Sequence, residues 1–395
     1  MPGHLEKRGK NTWKIVIELG RDPETKKRKR LVRTFKGPKR EAEIELAKLI
    51  SEYEKGLLLD TKITFGEYLK KWLEDYPKVK RLSPTTVRRY SQIINLRVIP
   101  KLGAIPLEKL RPIHLQTFYK ELMDCSRLDG KKGSLSQASL IYHHRVIHKA
   151  LDTAVKQQLI PYNIADSVEL PKIQKEFITY NPDDEIDNTQ AVKVLDEQQV
   201  NYMLEKARET PYYALLFLAV RTGMRRGELL ALRWKDIDEK NKIIKVRQTL
   251  GYTPERGIFF KAPKTKKSVR NIDVSDDVIK VLKNHRRQQH EKKLLLGPNY
   301  NDYNLVFCQD NGLPMHPDTI SSWFPEFLER IGLPRLNFHC LRHTHASLLL
   351  KAGVDVKIIS ERLGHSSVRI TYDIYSHLMP GMQRTAAEKL EQLLS

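Results

Sequence analysis

The sequence of 395 residues has little of what a disulfide-stabilised or membrane-spanning protein needs. Its three cysteines, at positions 125, 308 and 340, are odd in number and widely spaced, which favours free thiols in a reducing compartment. The longest apolar run, "YYALLFLAV" at residues 212–220, is far shorter than the roughly 20 residues of a membrane span. The N-terminal "MPGHLEKRGK" is charged with no apolar core after it, so we expect no signal peptide. These features predict a cytoplasmic protein with no membrane partner.

Acidic residues are scarce relative to basic ones. The chain has 48 Asp and Glu against 70 Lys and Arg, a formal net charge of +22, and a pI near 9.7. A surplus of this size points to a polyanionic partner, of which nucleic acid is the commonest. No nucleotide-binding loop of the form G-x-x-x-x-G-K-[S/T] occurs. The composition therefore indicates a nucleic-acid-binding protein that does not use ATP or GTP.

The basic surplus lies in three blocks. Residues 1–60 carry a net charge of +6, residues 61–175 carry +11 and residues 191–395 carry +10. Residues 176–190, "EFITYNPDDEIDNTQ", carry −5. That stretch is polar, contains a proline and shows no periodicity, which is typical of a linker. Basic blocks joined by tethers are suited to wrapping a duplex.

The first block predicts a small sheet with one helix. Apolar residues alternate at 13–19 and 31–35 on either side of a turn at Asp22 and Pro23, a hairpin pattern. "KREAEIELAKLISEYEKG" then has apolar residues at helical spacing. The basic run "KKRKR" at 26–30 lies at the hairpin turn, where it is placed to enter a DNA groove.

The second block is helical by pattern, with about four helices. Ser83 is placed as an N-cap and Pro84 as the first helical residue. His143, His144 and His148 lack the cysteine or acidic companions of a metal site, so we expect them to face solvent or phosphate.

The third block mixes helices and strands. Asp196 and Gln199 form a capping-box pattern, Gly223 ends one helix and Arg225 begins another. "KIIKVRQTL" and "SVRNIDV" are predicted strands around the lysine-rich turn "KAPKTKKS". The chain is predicted to be helical again from Pro317, including the closing amphipathic segment "QRTAAEKLEQLL".

Cleaving a DNA phosphodiester without a metal requires preorganised cations, because the attacked phosphate gains negative charge. Arginine suits this role, since its planar fork grips two phosphate oxygens and remains charged. A tyrosine hydroxyl is a suitable nucleophile when neighbouring cations lower its pKa. A phosphotyrosyl link conserves the energy of the broken bond, so rejoining needs no ATP. The third block contains arginines, histidines and tyrosines for this chemistry.

Four segments carry a family resemblance: "TGMRRGELLALRW", "KAPKTKKSVRNI", "FHCLRHTHASLL" and "LGHSSVRITYDIYSHL". In this order they resemble the active-site boxes of the tyrosine recombinases, specifically the integrases of phages and conjugative transposons of Gram-positive bacteria. The resemblance covers nearly the whole chain and implies a multidomain α+β fold shared in part with type IB topoisomerases.

The resemblance also implies a domain organisation. Residues 1–60 would form an arm-binding domain with a small three-stranded β-sheet and a helix. Residues 61–172 would form an all-α, SAM-like core-binding domain, and residues 173–190 a linker. Residues 191–395 would form a mixed, mainly α catalytic domain with a small β-sheet and a C-terminal tail.

The resemblance implies six catalytic residues: Arg225, Lys264, His339, Arg342, His365 and Tyr375. The arginines would clamp the phosphate, the histidines would bind it and assist proton transfer, and the tyrosine would attack. Lys264 would protonate the leaving oxygen, with Lys266 as the alternative because turn length varies here. Glu228 resembles a buried acid that orients the first arginine.

Some positions leave alternatives open. Tyr372 lies three residues before Tyr375, so spacing alone does not choose between the two hydroxyls, and the match to the "YSH" pattern favours the second. A zinc site formed by His339, His343 and His345 has no H-E-x-x-H motif or cysteine pair behind it. We therefore expect no metal and no cofactor.

Two departures from the family pattern are visible. Cys340 replaces the usual acidic residue after the box histidine, which affects no catalytic position. Lys27 stands where the arm-domain turn often has glycine, so that turn is expected to differ in shape.

The implied function is site-specific DNA recombination that integrates and excises a mobile element through a 3′-phosphotyrosyl intermediate. The implied partners are double-stranded DNA with core-type and arm-type attachment sites, three further copies in a homotetramer, and DNA-bending and excision proteins. The expected location is the nucleoid of a bacterial host. Two alternatives share the fold: a non-catalytic DNA-binding regulator, and a type IB topoisomerase, which the arm-like first domain disfavours.

Overall fold

The computed structural model describes residues 3–21, 28–54, 63–124, 135–170, 194–263, 269–365 and 367–375, with residues 391 and 394. The chain divides into two compact units, Met1–Thr179 and Tyr180–Ser395. The division lies inside the acidic stretch "EFITYNPDDEIDNTQ". Among the helices of the described ranges, none is both long and apolar enough to cross a membrane.

The first unit begins with an antiparallel sheet whose strand order is β1-β2-β3. The elements are β1 Gly3–Gly9, β2 Thr12–Arg21, β3 Arg28–Lys36 and the helix α1 Lys39–Glu54. Strands β2 and β3 pair as the predicted hairpin, with Trp13 opposite Phe35. Their inward residues Ile15 and Ile17 pack with Leu49 of α1 in a small core. The predicted turn at residues 22–27, including Lys27, lies outside the described residues.

The remainder of this unit is a helical bundle. Its helices are α2 Phe65–Val79, α3 Pro84–Ile93, α4 Ile99–Leu102, α5 Pro112–Asp124 and α6 Gln137–Lys156, with a π-helical segment Ile94–Val98 joining α3 to α4. Ser83 caps α3 by accepting a hydrogen bond from the backbone of Thr86, with Pro84 in the first turn as predicted. Tyr68, Trp72 and Tyr119 are largely buried in the core of the bundle. The four helices predicted for this block are confirmed, and the second of them is made of α3, the π-helical segment and the start of α4.

His143 and His144 are bonded within the bundle and are not directed at solvent or phosphate, which corrects the expectation for them, whereas the side chain of His148 is 32% exposed. The ring of His143 is 7% exposed, and its Nδ1 lies 2.7 Å from the carbonyl oxygen of Ser139. Nδ1 of His144 lies 3.1 Å from the hydroxyl of Tyr119. Nε2 of His148 lies 2.7 Å from an aspartate carboxylate. Burial lowers the pKa of His143 and of His144, so both rings serve the packing of the bundle.

The second unit contains both helices and strands. They are α7 Glu197–Ala207, α8 Tyr213–Thr222, α9 Arg226–Leu229, β4 Ile237–Asp238, β5 Ile243–Val246, β6 Thr249–Thr253, β7 Gly257–Lys261, β8 Arg270–Asp273, α10 Asp276–Leu296, α11 Pro317–Arg330, α12 Cys340–Lys351, α13 Val356–Leu363 and α14 Val368–Tyr375. Helix α8 is apolar on nearly every side because its neighbours in the core surround it. The Asp196–Gln199 capping box and the start of α11 at Pro317 are confirmed. Most of the predicted closing helix lies outside the described residues.

The predicted strands "KIIKVRQTL" and "SVRNIDV" contain β5 and β8, which pair with each other next to β4. The structure adds a separate hairpin of β6 and β7 between them, which was not predicted. The first predicted strand is interrupted at Arg247 and Gln248, where the side-chain amide of Gln248 donates to the carbonyl of Ala231. The segment 264–268 therefore connects strands of different sheets, and it lies outside the described residues.

Glycines with left-handed backbone conformations end the helices α8 and α13. Gly223, at φ +62°, ends α8, and Gly364, at φ +68°, ends α13. This conformation strains any residue with a Cβ. A Cβ at Gly223 would also lie 2.6 Å from the ring of His345 and 2.7 Å from Leu363. Glycine at this position thus allows α8, α12 and α13 to meet.

We expect Gly223→Ala to destabilise this unit more than Gly353→Ala. Gly353 has φ +77° with open space around its Cα, so alanine there adds backbone strain of about 1 kcal/mol. Alanine at Gly223 adds overpacking, at least about 1 kcal/mol more. Hydrogen exchange of peptides from α8 and α12 measures the local free energy of opening. Equal losses for the two variants would show that the neighbours of Gly223 yield freely.

Candidate active site

The site begins at the short helix α9, where Arg225 is the N-cap. The backbone N–H of Arg225 donates to the Glu228 carboxylate at 3.0 Å, and its Nη1 donates to the same group at 2.9 Å. Its Nη2 reaches the carbonyl oxygen of Gly364 at 3.3 Å. The arginine side chain keeps 38% of its surface exposed, whereas Glu228 keeps 4%. The buried carboxylate of Glu228 thus holds Arg225 in place, while part of the arginine side chain remains exposed to solvent.

Arg342, in the first turn of α12, is deeply buried, with 4% of its surface exposed. Its Nη1 donates to the carbonyl oxygen of Gly223 at 2.8 Å, and its Nη2 donates to that of Leu363 at 2.8 Å. One guanidinium therefore bridges the two helix ends that the left-handed glycines form.

The C-terminus of α13 receives three arginines on consecutive carbonyl groups. Nε of Arg270 donates to Arg362 O at 2.7 Å, Arg342 to Leu363 O, and Arg225 to Gly364 O. The last carbonyls of a helix have no partner within it and carry the negative end of its dipole. Arginines at this end of α13 both donate hydrogen bonds to the free carbonyls and complement the negative end of the dipole. The three arginines therefore bind on the three residues that precede His365.

Glu228 is the anion at the centre of this cluster. It accepts hydrogen bonds from Arg225 and also from Arg270, whose Nη1 and Nη2 lie 3.2 and 2.9 Å from the two carboxylate oxygens. Burial by itself raises the pKa of Glu228, but the hydrogen bonds and charges of Arg270 and Arg225 outweigh it and hold the pKa below its ordinary value. The carboxylate is therefore charged when the site works.

Burial and neighbouring cations favour the neutral form of the two histidines of the predicted set. Burial, together with the charges of Arg342 and Arg225, lowers the pKa of His339, and the same causes lower the pKa of His365 to about 4. Nδ1 of His365 lies 2.7 Å from the hydroxyl of Thr371, a fully buried residue of α14. A neutral imidazole can donate one hydrogen bond and accept another.

The neighbouring histidines do not assemble with His339 into a metal site. The rings of His339 and His343 meet edge to face with centroids 4.9 Å apart. His345 is bonded elsewhere: its Nδ1 lies 2.7 Å from Val220 O, and its Nε2 accepts from Arg362 Nε at 3.2 Å. Within the part of the chain that the structure describes, no three His, Cys, Asp or Glu side chains are grouped to hold a metal ion.

The structure thus brings together four of the six predicted residues: Arg225, His339, Arg342 and His365. Tyr375 is the last residue of α14, and only its backbone is described. Tyr372, the alternative, is half exposed on the same helix. Lys264 and Lys266 lie outside the described residues.

Two residues of the site were missed from the sequence: Arg270 and Thr371. Arg270 had a detectable signal, since it occupies an inward position of the alternating strand "RNID". A charged residue on the buried face of a strand requires an ionic partner, which predicts a nearby acid. Thr371 had no such signal, because a threonine within an amphipathic helix is ordinary.

The arrangement is suited to an anionic reactant. The guanidinium groups of Arg225 and Arg270 bind one buried carboxylate and Arg342 adds a third cation, so the cluster keeps a surplus of positive charge beside the partly exposed Arg225. Positive charge that is already oriented stabilises a phosphate whose negative charge grows during reaction. The imidazoles of His339 and His365 add polar ring nitrogens at the same place, although Nδ1 of His365 is already bonded to Thr371, which leaves its Nε2 for the reactant.

Comparison with known proteins agrees with this geometry. Residues 193–381 match the phage integrase family, and residues 64–123 match the N-terminal SAM-like domain of phage integrases. A XerC-like tyrosine recombinase of Caldanaerobacter subterraneus subsp. tengcongensis is 28% identical, over 98% of this chain and 97% of the relative. The integrase of Staphylococcus phage L54a is 30% identical, over 84% of this chain and 94% of the relative.

A solved structure shares the fold. The Tn1549 transposon integrase in complex with a circular intermediate DNA aligns with a TM-score of 0.66 at 20% identity, covering 83% of this chain and 99% of that one. The class defined by fold and site is that of the tyrosine recombinases, which cut and rejoin DNA strands. This chain belongs to the phage integrase family within that class. The predicted family and fold class are confirmed.

The buried ring of His345 predicts a pH-dependent stability. Burial, followed by the charge of Arg362, lowers its pKa to about 3, whereas the unfolded ring titrates near its ordinary 6.5. The stability is fully present above pH 6.5 and is lost as the pH falls from 6.5 towards 3, at most about 1.4 kcal/mol per pH unit.

The dependence of stability on pH is measured by urea unfolding at several pH values between 7 and 5. Hydrogen exchange of peptides from α8 and α12 reports the unfolding midpoint at each pH. We expect His345→Gln to reduce the slope and His290→Gln, at an exposed position of α10, to leave it unchanged. An undiminished slope in His345→Gln would assign the proton uptake to other groups.

Proposed function

We propose that this recombinase integrates and excises a mobile element by site-specific exchange of DNA strands, with Tyr375 forming a 3′-phosphotyrosyl link. The observation that carries the proposal is the gathering of Arg225, Arg342 and His365 at the C-terminus of α13. A scissile phosphate placed at this point would meet two arginines and a neutral imidazole together.

The backbone of α14 supports Tyr375 as the nucleophile. Thr371 of this helix is bonded to His365, and Tyr375 lies four residues further on, the spacing of one helical turn. The tyrosine oxygen would attack phosphorus, the 5′-oxygen would leave with a proton, and the 3′-phosphate would remain on the protein. Attack by the 5′-hydroxyl of another strand would reverse these steps and release Tyr375.

The remaining blocks are proposed to bind DNA. Arg28, Arg30 and Arg33 are exposed along β3, which supports residues 1–60 as the arm-type binding domain. Residues 61–172 would bind the core-type site, and residues 173–190 would link them to the catalytic residues 191–395. The Tn1549 transposon integrase was solved in complex with a circular intermediate DNA, which supports DNA as the partner. We further propose a homotetramer on two DNA partners in the bacterial nucleoid, assisted by DNA-bending and excision proteins.

Tyr375→Phe should abolish covalent attachment to DNA. The substrate is a nicked duplex with the attachment site of the element, obtained by sequencing the junction of its excised circle. We expect the wild type to give a protein–DNA adduct in denaturing gels, with EDTA present. Phenylalanine removes the attacking oxygen, so no adduct forms while DNA retardation persists.

The matched control is Tyr372→Phe, which should keep the adduct. Loss of the adduct in this variant alone would move the nucleophile to Tyr372. Retardation of DNA by the wild type without an adduct would instead identify a DNA-binding regulator. Relaxation of supercoils without recombinant product would identify a topoisomerase.

Replacing the leaving oxygen with sulfur should identify the general acid. A thiolate leaves without a proton, whereas an alkoxide needs one. Lys264→Ala should slow cleavage of the ordinary nicked duplex by about 100-fold or more, and a 5′-bridging phosphorothiolate should restore it. Lys266→Ala should show neither effect. The reverse outcome would assign the proton transfer to Lys266.

A further inference from the structure

Arg270 is a buried cation that spans two parts of the site. Its side chain is 6% exposed. Through Nη1 and Nη2 it binds both oxygens of Glu228, and through Nε it binds the carbonyl of Arg362. Glu228 holds Arg225, and Arg362 lies three residues before His365. A single guanidinium thus joins the support of one predicted catalytic residue to the helix end that carries another.

Packing makes this link stiff. A Cβ at Gly364 would lie 3.1 Å from both Cδ and Nη1 of Arg270, so the turn before His365 rests directly on the arginine. The planar guanidinium holds a fixed donor geometry, unlike the flexible ammonium of lysine. Movement of Arg270 would therefore shift Glu228 and the Gly364 turn together.

We propose that Arg270 is a positioning residue that holds Arg225 and His365 in one arrangement for strand cleavage by binding Glu228 and the Arg362 carbonyl at once. The inference rests on the proposed function, because it concerns the cleavage step. Arg270 acts through these groups and is not assigned a contact with the DNA phosphate.

The electrostatics agree with this role. The charged and titratable groups that face Glu228 are Arg225 on its own helix, Arg270 from β8 and His339 at the start of α12. Burial favours the protonated acid, and Arg270 is the strongest influence in the opposite direction. Without Arg270, the pKa of Glu228 should rise, and protonation at low pH would release Arg225 from its support.

The test compares wild type, Arg270→Gln and Arg270→Lys on the nicked attachment-site duplex. Single-turnover adduct formation reports cleavage, and equilibrium retardation reports binding. We expect Arg270→Gln to slow cleavage by about 100-fold, the scale of a small misplacement of a catalytic group, while the Kd for DNA is unchanged. Arg270→Lys keeps the charge but loses the fork, so its rate should lie between the two.

The pH profile gives a readout that a purely structural role would not move. In Arg270→Gln, cleavage should show an additional fall as the pH is lowered and should recover as the pH is raised, because Glu228 ionises again. The wild type should lack this additional acid limb. The control is Arg287→Gln, which changes an exposed arginine of α10 and should leave rate, Kd and profile unchanged.

Unchanged cleavage in Arg270→Gln would overturn the inference. Parallel loss of binding and cleavage in both Arg270 variants would also overturn it, since Arg270 would then serve only to keep the domain folded. Failure of the wild type to form any adduct would instead overturn the proposed function, and it is seen before any variant is compared.

Discussion

The site depends on the carbonyl groups that end helix α13. Three consecutive carbonyls, from Arg362, Leu363 and Gly364, cannot be satisfied within the helix, and each accepts a hydrogen bond from a different arginine. These arginines come from β8, from α12 and from the residue before α9. Because the three acceptor carbonyls are adjacent on one backbone, they hold the three arginines close together despite the repulsion between their charges. The turn that follows presents His365 beside them.

Concentrating cations in a buried place requires an anion, and Glu228 supplies it. Its carboxylate binds Arg225 and Arg270 and offsets part of their mutual repulsion. The remaining positive charge has a second effect, because it acts together with burial, the larger cause, to lower the pKa of His339 and His365. The same cluster thus concentrates positive charge and favours the neutral form of its histidines.

The helix caps were predictable from the sequence, whereas one hairpin and the contacts of the α6 histidines were not. The caps at Ser83, Asp196 and Gly223 were predicted correctly because a cap depends on residues within one helical turn. The β6–β7 hairpin was missed, because the predicted strand ended at residue 250 and no strand was predicted for residues 251–260. The α6 histidines were expected to face solvent or phosphate because they lack the cysteine or acidic companions of a metal site. The expectation was wrong for His143 and His144, whose partners are the Ser139 carbonyl one helical turn away and the Tyr119 hydroxyl of α5.

The sequence by itself determined several helix caps, including the end of α8 at Gly223, and the family, because these depend on residues close together in the chain or on four short motifs. Only the tertiary structure decided how those motifs combine. Arg270 lies 42 residues from Glu228, and Arg342 lies 119 residues from Gly223. A buried charge takes whichever partner the packing of distant helices and strands brings to it, and no local pattern specifies that partner. The contacts of Arg270 with Glu228 and with the Arg362 carbonyl therefore depend on the packing of β8 beside α13.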